Sequence, residues 1–453
     1  MTINEYFSLS NRVLYKFRLY YADSIIGFMV ENDSNYYIIT PKHKKDYNDG
    51  KKPLSEIGKR VLLDQVESYE IYNENQKSNF DTNILEFNGT LKTKKLIILG
   101  AGASFDYSFD PNSKTKEFNP PLANDLFSDN FMKVISKYSG AMNLSPEIIL
   151  ASRHDIESYF QEQWQKILET HNPILFSNLI NIQFYLHHLF EEITSMNLNK
   201  RENNYWALAK KAHEYTTSTG EHIAVVSFNY DTLFEEALTK QVKYEFDNMN
   251  NYIDFASRKI LLFKPHGSYN WIRKIKGKIN NSNPYPEYSK IKSLNDFAER
   301  IHNSSISFNK INSMLSDEIT VRHRSHIDFS ASHPQYNSQY LSYLYVPQLL
   351  IPFKDKDGFF MPKSHELVMG NFLTDINEIL IIGWKGSEQK FLELLSKKFN
   401  NSSLKITIVN KNDGQSVMDN FKHVSSEIEF INTECTFSNY IEIINSKNEH
   451  FFV

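Results

Sequence analysis

Lys94-Lys95-Leu96-Ile97-Ile98-Leu99-Gly100-Ala101-Gly102-Ala103-Ser104 reads as a short buried strand running into a glycine turn. Leu96 to Leu99 are continuously apolar, the pattern of a central strand in a parallel sheet covered on both faces. Gly100 and Gly102 let the backbone turn sharply and approach a ligand with no Cβ in the way. Backbone N–H groups exposed in such a turn can cradle a pyrophosphate. A tight turn without a ligand explains the same residues. The third glycine of the common dinucleotide fingerprint is absent, since Phe105, Asp106 and Tyr107 follow Ser104.

Three later stretches repeat the strand-then-polar-turn pattern. Ile223 to Val226 make a second buried strand, followed by Ser227-Phe228-Asn229-Tyr230-Asp231-Thr232 and a helix face of Leu233, Phe234, Ala237 and Leu238. Asn229 and Asp231 therefore stand at the carboxyl end of a parallel strand, where open α/β sheets bind ligands. A helix N-cap at Asp231 and a turn residue at Asn229 account for them equally. Ile260-Leu261-Leu262-Phe263 ends in Lys264-Pro265-His266-Gly267-Ser268. His266 sits between a proline that stiffens the backbone and a glycine that permits a sharp turn. Its ordinary pKa near neutrality suits a general base, although a lone histidine is also a common structural residue. The last stretch, Glu378-Ile379-Leu380-Ile381-Ile382, ends in Gly383-Trp384-Lys385-Gly386-Ser387. The strand Lys405 to Val409 then ends at Asn410, and Ile428 to Ile431 reads as a final strand.

The segments between these strands divide the chain. Residues 1–90 carry three strand-like runs, Tyr15–Tyr20, Ile25–Val30 and Asn35–Thr40, and read as a β-rich N-terminal extension. The lysine-rich stretch 41–53 reads as a solvated loop. Residues 91–453 form the sheet domain, with a helical insertion at about 130–218 and a polar insertion at about 275–340. Pro120-Pro121 marks the start of a helix. Ile156, Tyr159, Phe160, Trp164, Ile167 and Leu168 give one apolar helical stripe, with Asp155 as its cap. His187 and His188 are adjacent and face different ways on a helix, so they read as ordinary core or surface histidines. Arg322, His323, Arg324 and His326 read as surface or interface residues.

Bulk composition excludes several classes. Lys plus Arg is 50 against 54 Asp plus Glu, a net charge of −4, which offers no general electrostatic case for direct nucleic-acid binding. The single cysteine, Cys435, rules out an intrachain disulfide and a cysteine-rich zinc site, and no metal is expected. No apolar run approaches the roughly 20 residues that cross a bilayer. The N-terminus lacks the basic-then-apolar pattern of a signal peptide. The expectation is a soluble, cytoplasmic protein without membrane contact. Abundant Phe (33) and Tyr (26) argue for a filled core or large interfaces rather than disorder.

Taken in order on strand ends, Gly100 to Ser104, Phe228-Asn229-Tyr230-Asp231, His266-Gly267-Ser268 and Gly383 to Ser387 resemble the sirtuin superfamily. They look most like the sirtuin-like domains of bacterial anti-phage defence proteins. Pro120-Pro121-Leu122 followed by the Asp155-Ile156-Glu157 helix is similar to that branch as well. The resemblance spans residues 92 to 440. It implies an α/β fold with a Rossmann-like, mostly parallel sheet that binds NAD. It assigns Gly100, Ala101, Gly102 and Ser104 to the phosphates, Asn229 and Asp231 to the nicotinamide ribose, and His266 to the catalytic base. By position it puts Gly383, Ser387 and Asn410 on the adenosine side. Zinc-binding deacetylases of this family use four cysteines, an Ile-Pro-Asp-Phe-Arg-like loop and a glutamine before the asparagine. Here there are one cysteine, no such loop and Phe228.

Breaking the bond between nicotinamide and ribose produces an oxocarbenium-like centre, which calls for a rigid ribose, charge stabilisation and an activated acceptor. If no acyl-lysine competes for the site, water becomes the acceptor and the net reaction is NAD hydrolysis. The resemblance thus implies NAD as a substrate, and an NAD hydrolase acting as an abortive-infection effector. Such an enzyme must stay silent until triggered, so regulation by a homo-oligomer or a partner protein is expected. Similar proteins work with a HerA-type ATPase, an Argonaute-like protein or a nucleotide-signal sensor, and no sensor domain is recognisable here. A non-hydrolytic NAD or ADP-ribose binding module and an ADP-ribosyltransferase are the alternatives.

Overall fold

A computed structural model describes residues 15–19, 22–32, 35–39, 58–61, 66–71, 93–108, 119–152, 155–197, 203–255, 257–275, 294–303, 315–322, 345–352, 359–399, 403–411, 414–425 and 427–446. The chain divides into two compact units, residues 1–90 with 362–371, and residues 91–361 with 372–453. In the first unit, β1 (Tyr15–Leu19), β2 (Ala22–Asn32), β3 (Asn35–Ile39), β4 (Gly58–Val61) and β5 (Val66–Ile71) form a sheet in the order β4-β3-β2-β1-β5. Every pairing in it is antiparallel. β4 and β5 have no clear alternation and were not expected from the sequence. The lysine-rich stretch 41–53 lies outside the described residues.

The second unit is α/β, built on a six-stranded, wholly parallel, Rossmann-like sheet. Its strands are β6 (Thr93–Leu99), β7 (His222–Ser227), β8 (Ile260–Phe263), β12 (Glu378–Ile382), β13 (Leu404–Val409) and β14 (Ile428–Asn432). The central strands are the continuous apolar runs of the sequence. Leu96 to Leu99 and Ile223 to Val226 are wholly buried, as strands covered by helices on both faces require. Spatial order is β8-β7-β6-β12-β13-β14. Numbered by appearance within this sheet, that is 3-2-1-4-5-6, the doubly wound order whose direction reverses between the first and fourth strands.

Helix α1 (Ala101–Phe105) follows β6 directly. Pro120-Pro121 does not open a helix. It leads into two three-residue 3₁₀ turns at Ala123–Asp125 and Asp129–Phe131, because Ser128 returns the backbone to an extended conformation between them. The helical insertion then runs through α2 (Met132–Ile135), α3 (Ser139–Ser152), α4 (Ile156–Thr170), α5 (Pro173–Asn197) and α6 (Asn204–Thr219). Asp155 caps α4, accepting from Glu157 N and Ser158 N. α5 is the axis of a second core, in which Phe127, Phe160, Phe184 and Tyr185 pack together with Phe297.

α7 (Leu233–Val242) follows β7. The chain from 267 holds more order than its polarity suggests. β9 (Gly267–Ile275) pairs antiparallel with both β10 (Leu315–Val321) and β11 (Tyr345–Leu349). α8 (Leu294–Asn303) buries Phe297, Ala298 and Ile301, a helical spacing that the surrounding polar residues obscured. The polar loop at 276–284 lies outside the described residues, as do His323, Arg324 and His326. The remaining helices are α9 (Lys363–Phe372), α10 (Gln389–Lys398), α11 (Gln415–Phe421) and α12 (Phe437–Ser446).

Arg322 is not a surface residue. It pairs with Glu191 (3.0 Å) and donates from Nη1 to Nε2 of buried His187 (2.8 Å). His187 Nδ1 faces the Tyr269 carbonyl at 2.6 Å, which can only accept, so the proton sits on Nδ1 and Nε2 is the acceptor. Burial first, and Arg322 second, pull the His187 pKa down from 6.5 to about 3. The neutral ring's contribution to stability is complete above pH 6.5 and is lost as pH falls from there toward 3, because the unfolded chain takes up a proton that the folded chain refuses. Urea titrations across this window should show stability falling with pH. In His187→Gln the fall should be shallower, by at most about 1.4 kcal/mol per pH unit. An unchanged slope contradicts the assignment.

Candidate functional site

At the reversal of strand order, the turns after β6 and β12 touch through their backbones. Gly100 N donates to Ile382 O (3.0 Å) and Gly102 N to Gly383 O (2.9 Å). A Cβ at Gly100 would lie 2.5 Å from Gly383 O and from Trp384 Cα, and one at Gly102 would lie 2.8 Å from Gly383 Cα. Gly383 itself has φ +61°, and a Cβ there would overlap Ala103 N. The glycines of both turns are thus required by the close approach of one turn to the other. Two amides that the sequence suggested for a pyrophosphate, those of Gly100 and Gly102, are already bonded to carbonyls of the β12 turn. Ala103 N is likewise bonded to Gly100 O.

Ser104 and Asn229 meet beside this junction. Asn229 Nδ2 donates to Gly100 O (2.9 Å) and Ser104 Oγ (2.9 Å), and lies 3.2 Å from the Tyr205 hydroxyl. Ser104 Oγ and Tyr205 OH are 2.7 Å apart. Tyr205, from the start of α6, makes edge contacts with the rings of Phe234 and Phe437. Its hydroxyl pKa is raised well above the usual value, burial being the main cause and the Asp231 charge the next. Ser104 is therefore an interior bonding residue. Asn229 has its amide nitrogen turned inward, which leaves Oδ1 as the side-chain acceptor.

Asp231 also faces inward. Its Oδ1 accepts from Leu233 N (3.1 Å), at the start of α7. Its Oδ2 is buried with no hydrogen-bond partner among the described residues. Burial pushes its pKa up, while the Lys264 charge pulls it back. Asp231 is thus not the N-cap, which is Thr232, but bonds the first residue of α7 from one position earlier, and its side chain is buried.

His266 is turned between aromatic rings, 4.9 Å from Phe228 and 6.4 Å from Tyr230. Its carbonyl accepts from Leu350 N (2.8 Å). Gly267 has φ +74°, and a Cβ there would overlap Gln348 O. The sharp bend at the start of β9 therefore needs glycine. Phe228 stacks on Trp384 with centroids 5.4 Å apart and planes 7° apart, and Phe391 closes the edge. Trp384 donates from Nε1 to Glu388 Oε2.

Ser387 and Asn410 lie on the far side of the reversal. Ser387 Oγ lies 3.3 Å from Glu388 Oε2, and Asn410 Nδ2 donates to Trp384 O (3.0 Å). Ala101 opens α1 between the two bonded glycines. Every candidate from the sequence thus lies at the carboxyl edge of one sheet. Gly100, Ser104 and Asn229 touch directly, His266 connects through Phe228 to Trp384, and Asn410 holds the Trp384 backbone.

Three residues escaped the sequence reading: Tyr205, Trp384 and Lys264. A signal existed for Lys264. Glu235 borders the apolar stripe of α7, and a carboxylate placed there needs a buried cation. Among the described residues no three His, Cys, Asp or Glu side chains gather as metal ligands, and no helix is long and apolar enough to cross a membrane. No protein-family model and no curated protein matches this chain.

The junction makes a two-sided prediction. Gly383→Ala should cost at least about 3 kcal/mol, since a left-handed backbone and an overlap act together. Gly220→Ala has φ +73° but nothing within 4 Å of the added Cβ, and should cost about 1 kcal/mol. Denaturant unfolding of the two variants checks this, and equal losses would contradict the interlock.

Proposed function

We propose that this chain is an NAD glycohydrolase, converting NAD and water to nicotinamide and ADP-ribose at the carboxyl edge of its parallel sheet. The observation that carries the reading is the position of Asn229 and His266. Asn229 follows β7, the neighbour of β6 at the reversal, and His266 follows the edge strand β8, with Phe228 between its ring and Trp384 of the β12 turn. Sheets of this order take dinucleotides at that crevice. The likeness of the strand-end stretches to sirtuin-like defence proteins points the same way.

In the reaction, the bond between ribose C1′ and the nicotinamide nitrogen breaks and its electron pair leaves with nicotinamide. Water adds at C1′ and gives up a proton. Asn229 offers Oδ1 to a ribose hydroxyl or to the attacking water, its orientation fixed by the Gly100 carbonyl. His266 takes the proton. The Phe228–Trp384 stack is a water-excluding wall beside it, so that charges at the reacting centre are weakly screened. Gly383, Ser387 and Asn410 lie on the side assigned to the adenosine half. A single cysteine, the lack of an Ile-Pro-Asp-Phe-Arg-like loop and Phe228 in place of a glutamine favour water as acceptor over deacylation.

In the cell the reading is a cytoplasmic abortive-infection effector that arrests its host by removing NAD. It is held in check by homo-oligomerisation or by a partner such as a HerA-type ATPase. One observation favours a second reading, NAD binding without turnover: Ser104 and the Asn229 amide nitrogen are already engaged inside the fold.

Chromatography of NAD incubated with the purified chain, alone and with its partner, decides between them. Wild type should release nicotinamide and ADP-ribose in equal amounts. His266→Ala and Asn229→Ala should each lower kcat by about a hundredfold or more. Tight NAD binding with no release in either condition overturns the hydrolase reading for the binding module. Nicotinamide release with ADP-ribose retained on protein overturns it for a transferase.

A further inference from the structure

Lys264 lies two residues before His266 and its side chain is fully buried, at 0% exposure. An ammonium has three N–H donors, and here each has an acceptor. Nζ donates to the Asp231 carbonyl (2.5 Å), to Glu235 Oε1 (2.8 Å) and to Ser268 Oγ (2.8 Å). Those acceptors belong to three different segments: the loop after β7, helix α7 and the start of strand β9. Ser268 Oγ also donates to Tyr230 O (3.2 Å), and Tyr269 N donates to the same carbonyl (2.9 Å). Around the histidine, Gly267 N bonds back to Lys264 O (3.0 Å) and Phe360 N to Pro265 O (2.7 Å).

The loop carrying Asn229 and the loop carrying His266 are therefore fastened to each other through one ammonium and the Tyr230 carbonyl. A hydrophobic contact at this place would leave the two loops free to slide. Three directional bonds from a single charged centre fix their separation. Burying that charge is costly, and Glu235 neutralises it. Hydrophobic side chains of similar volume would fill the same space without that cost, so the pair is not needed for packing.

We infer that Lys264 is a positioning residue for the reaction, setting the geometry of His266 relative to Asn229 through the Asp231 carbonyl and Ser268. It touches no substrate. The inference rests on the hydrolase reading above.

The test uses the full chain and two variants. Lys264→Met alone would strand the Glu235 carboxylate and can fail to fold, so the charges are removed together in Lys264→Met/Glu235→Gln. Ser268→Ala is the second variant, and it leaves the ion pair intact. Thermal unfolding establishes that each variant is folded. Steady-state NAD hydrolysis then separates kcat from KM. The double variant should lose about tenfold to a hundredfold in kcat, and Ser268→Ala about fivefold, with KM for NAD within about threefold of wild type in both. A purely structural pair would lower stability and leave kcat per folded molecule unchanged, and that result in either folded variant overturns the inference. If wild type hydrolyses NAD and both variants match it, the positioning role alone fails. If wild type releases no nicotinamide, the hydrolase reading fails and takes this inference with it.

Discussion

Two backbone hydrogen bonds, Gly100 N to Ile382 O and Gly102 N to Gly383 O, hold the centre of the sheet's carboxyl edge together. They join the turns on either side of the point where strand order reverses, and they form only if no side chain stands between those turns. That condition explains glycine at positions 100, 102 and 383. It also fixes what surrounds them. Gly100 O, held in this junction, orients the Asn229 amide. Trp384 follows directly from Gly383 and is laid against Phe228, and Phe228 in turn borders His266. A shift of one turn would therefore be felt at Asn229 and His266 together.

A second constraint acts one strand away. Lys264 gathers the loops after β7 and β8 into one bonded unit, with Glu235 supplying the counter-charge from α7. The region combines a neutral, interlocked backbone at the reversal with a charged, fully bonded hub behind it. Asp231, with one carboxylate oxygen on Leu233 N and the other buried, belongs to the hub side of this arrangement. Burial explains its raised pKa without assigning it contact with a ligand.

Much of the fold was legible because its signals are local. Four apolar runs of four residues each became β6, β7, β8 and β12, the mixed stretches Lys405–Val409 and Ile428–Ile431 became β13 and β14, and Asp155 capped the helix that its position suggested. The strand order was not legible, since it depends on pairing between residues up to hundreds apart. The antiparallel sheet of β9, β10 and β11 was hidden by polar sequence around short buried patterns. At the site, the strand-end positions of Asn229, His266 and Gly383 were readable, but what each faces was not. Ser104 looked available to a phosphate and is bonded inside. Asp231 looked open to a ribose and points into the protein. Tyr205 reaches the site from the helical insertion, a long way off in sequence, and no local pattern announces it.

In the proposed function NAD lies across the β6–β12 reversal with its nicotinamide end toward Asn229 and His266. The structure of the chain bound to a non-hydrolysable carbocyclic NAD analogue tests it most directly. The ribose next to nicotinamide should lie within hydrogen-bond distance of Asn229 Oδ1 and the His266 ring, and the adenosine half on the side of Gly383, Ser387 and Asn410. An analogue bound elsewhere on the chain, or in the reverse orientation at this edge, would contradict it.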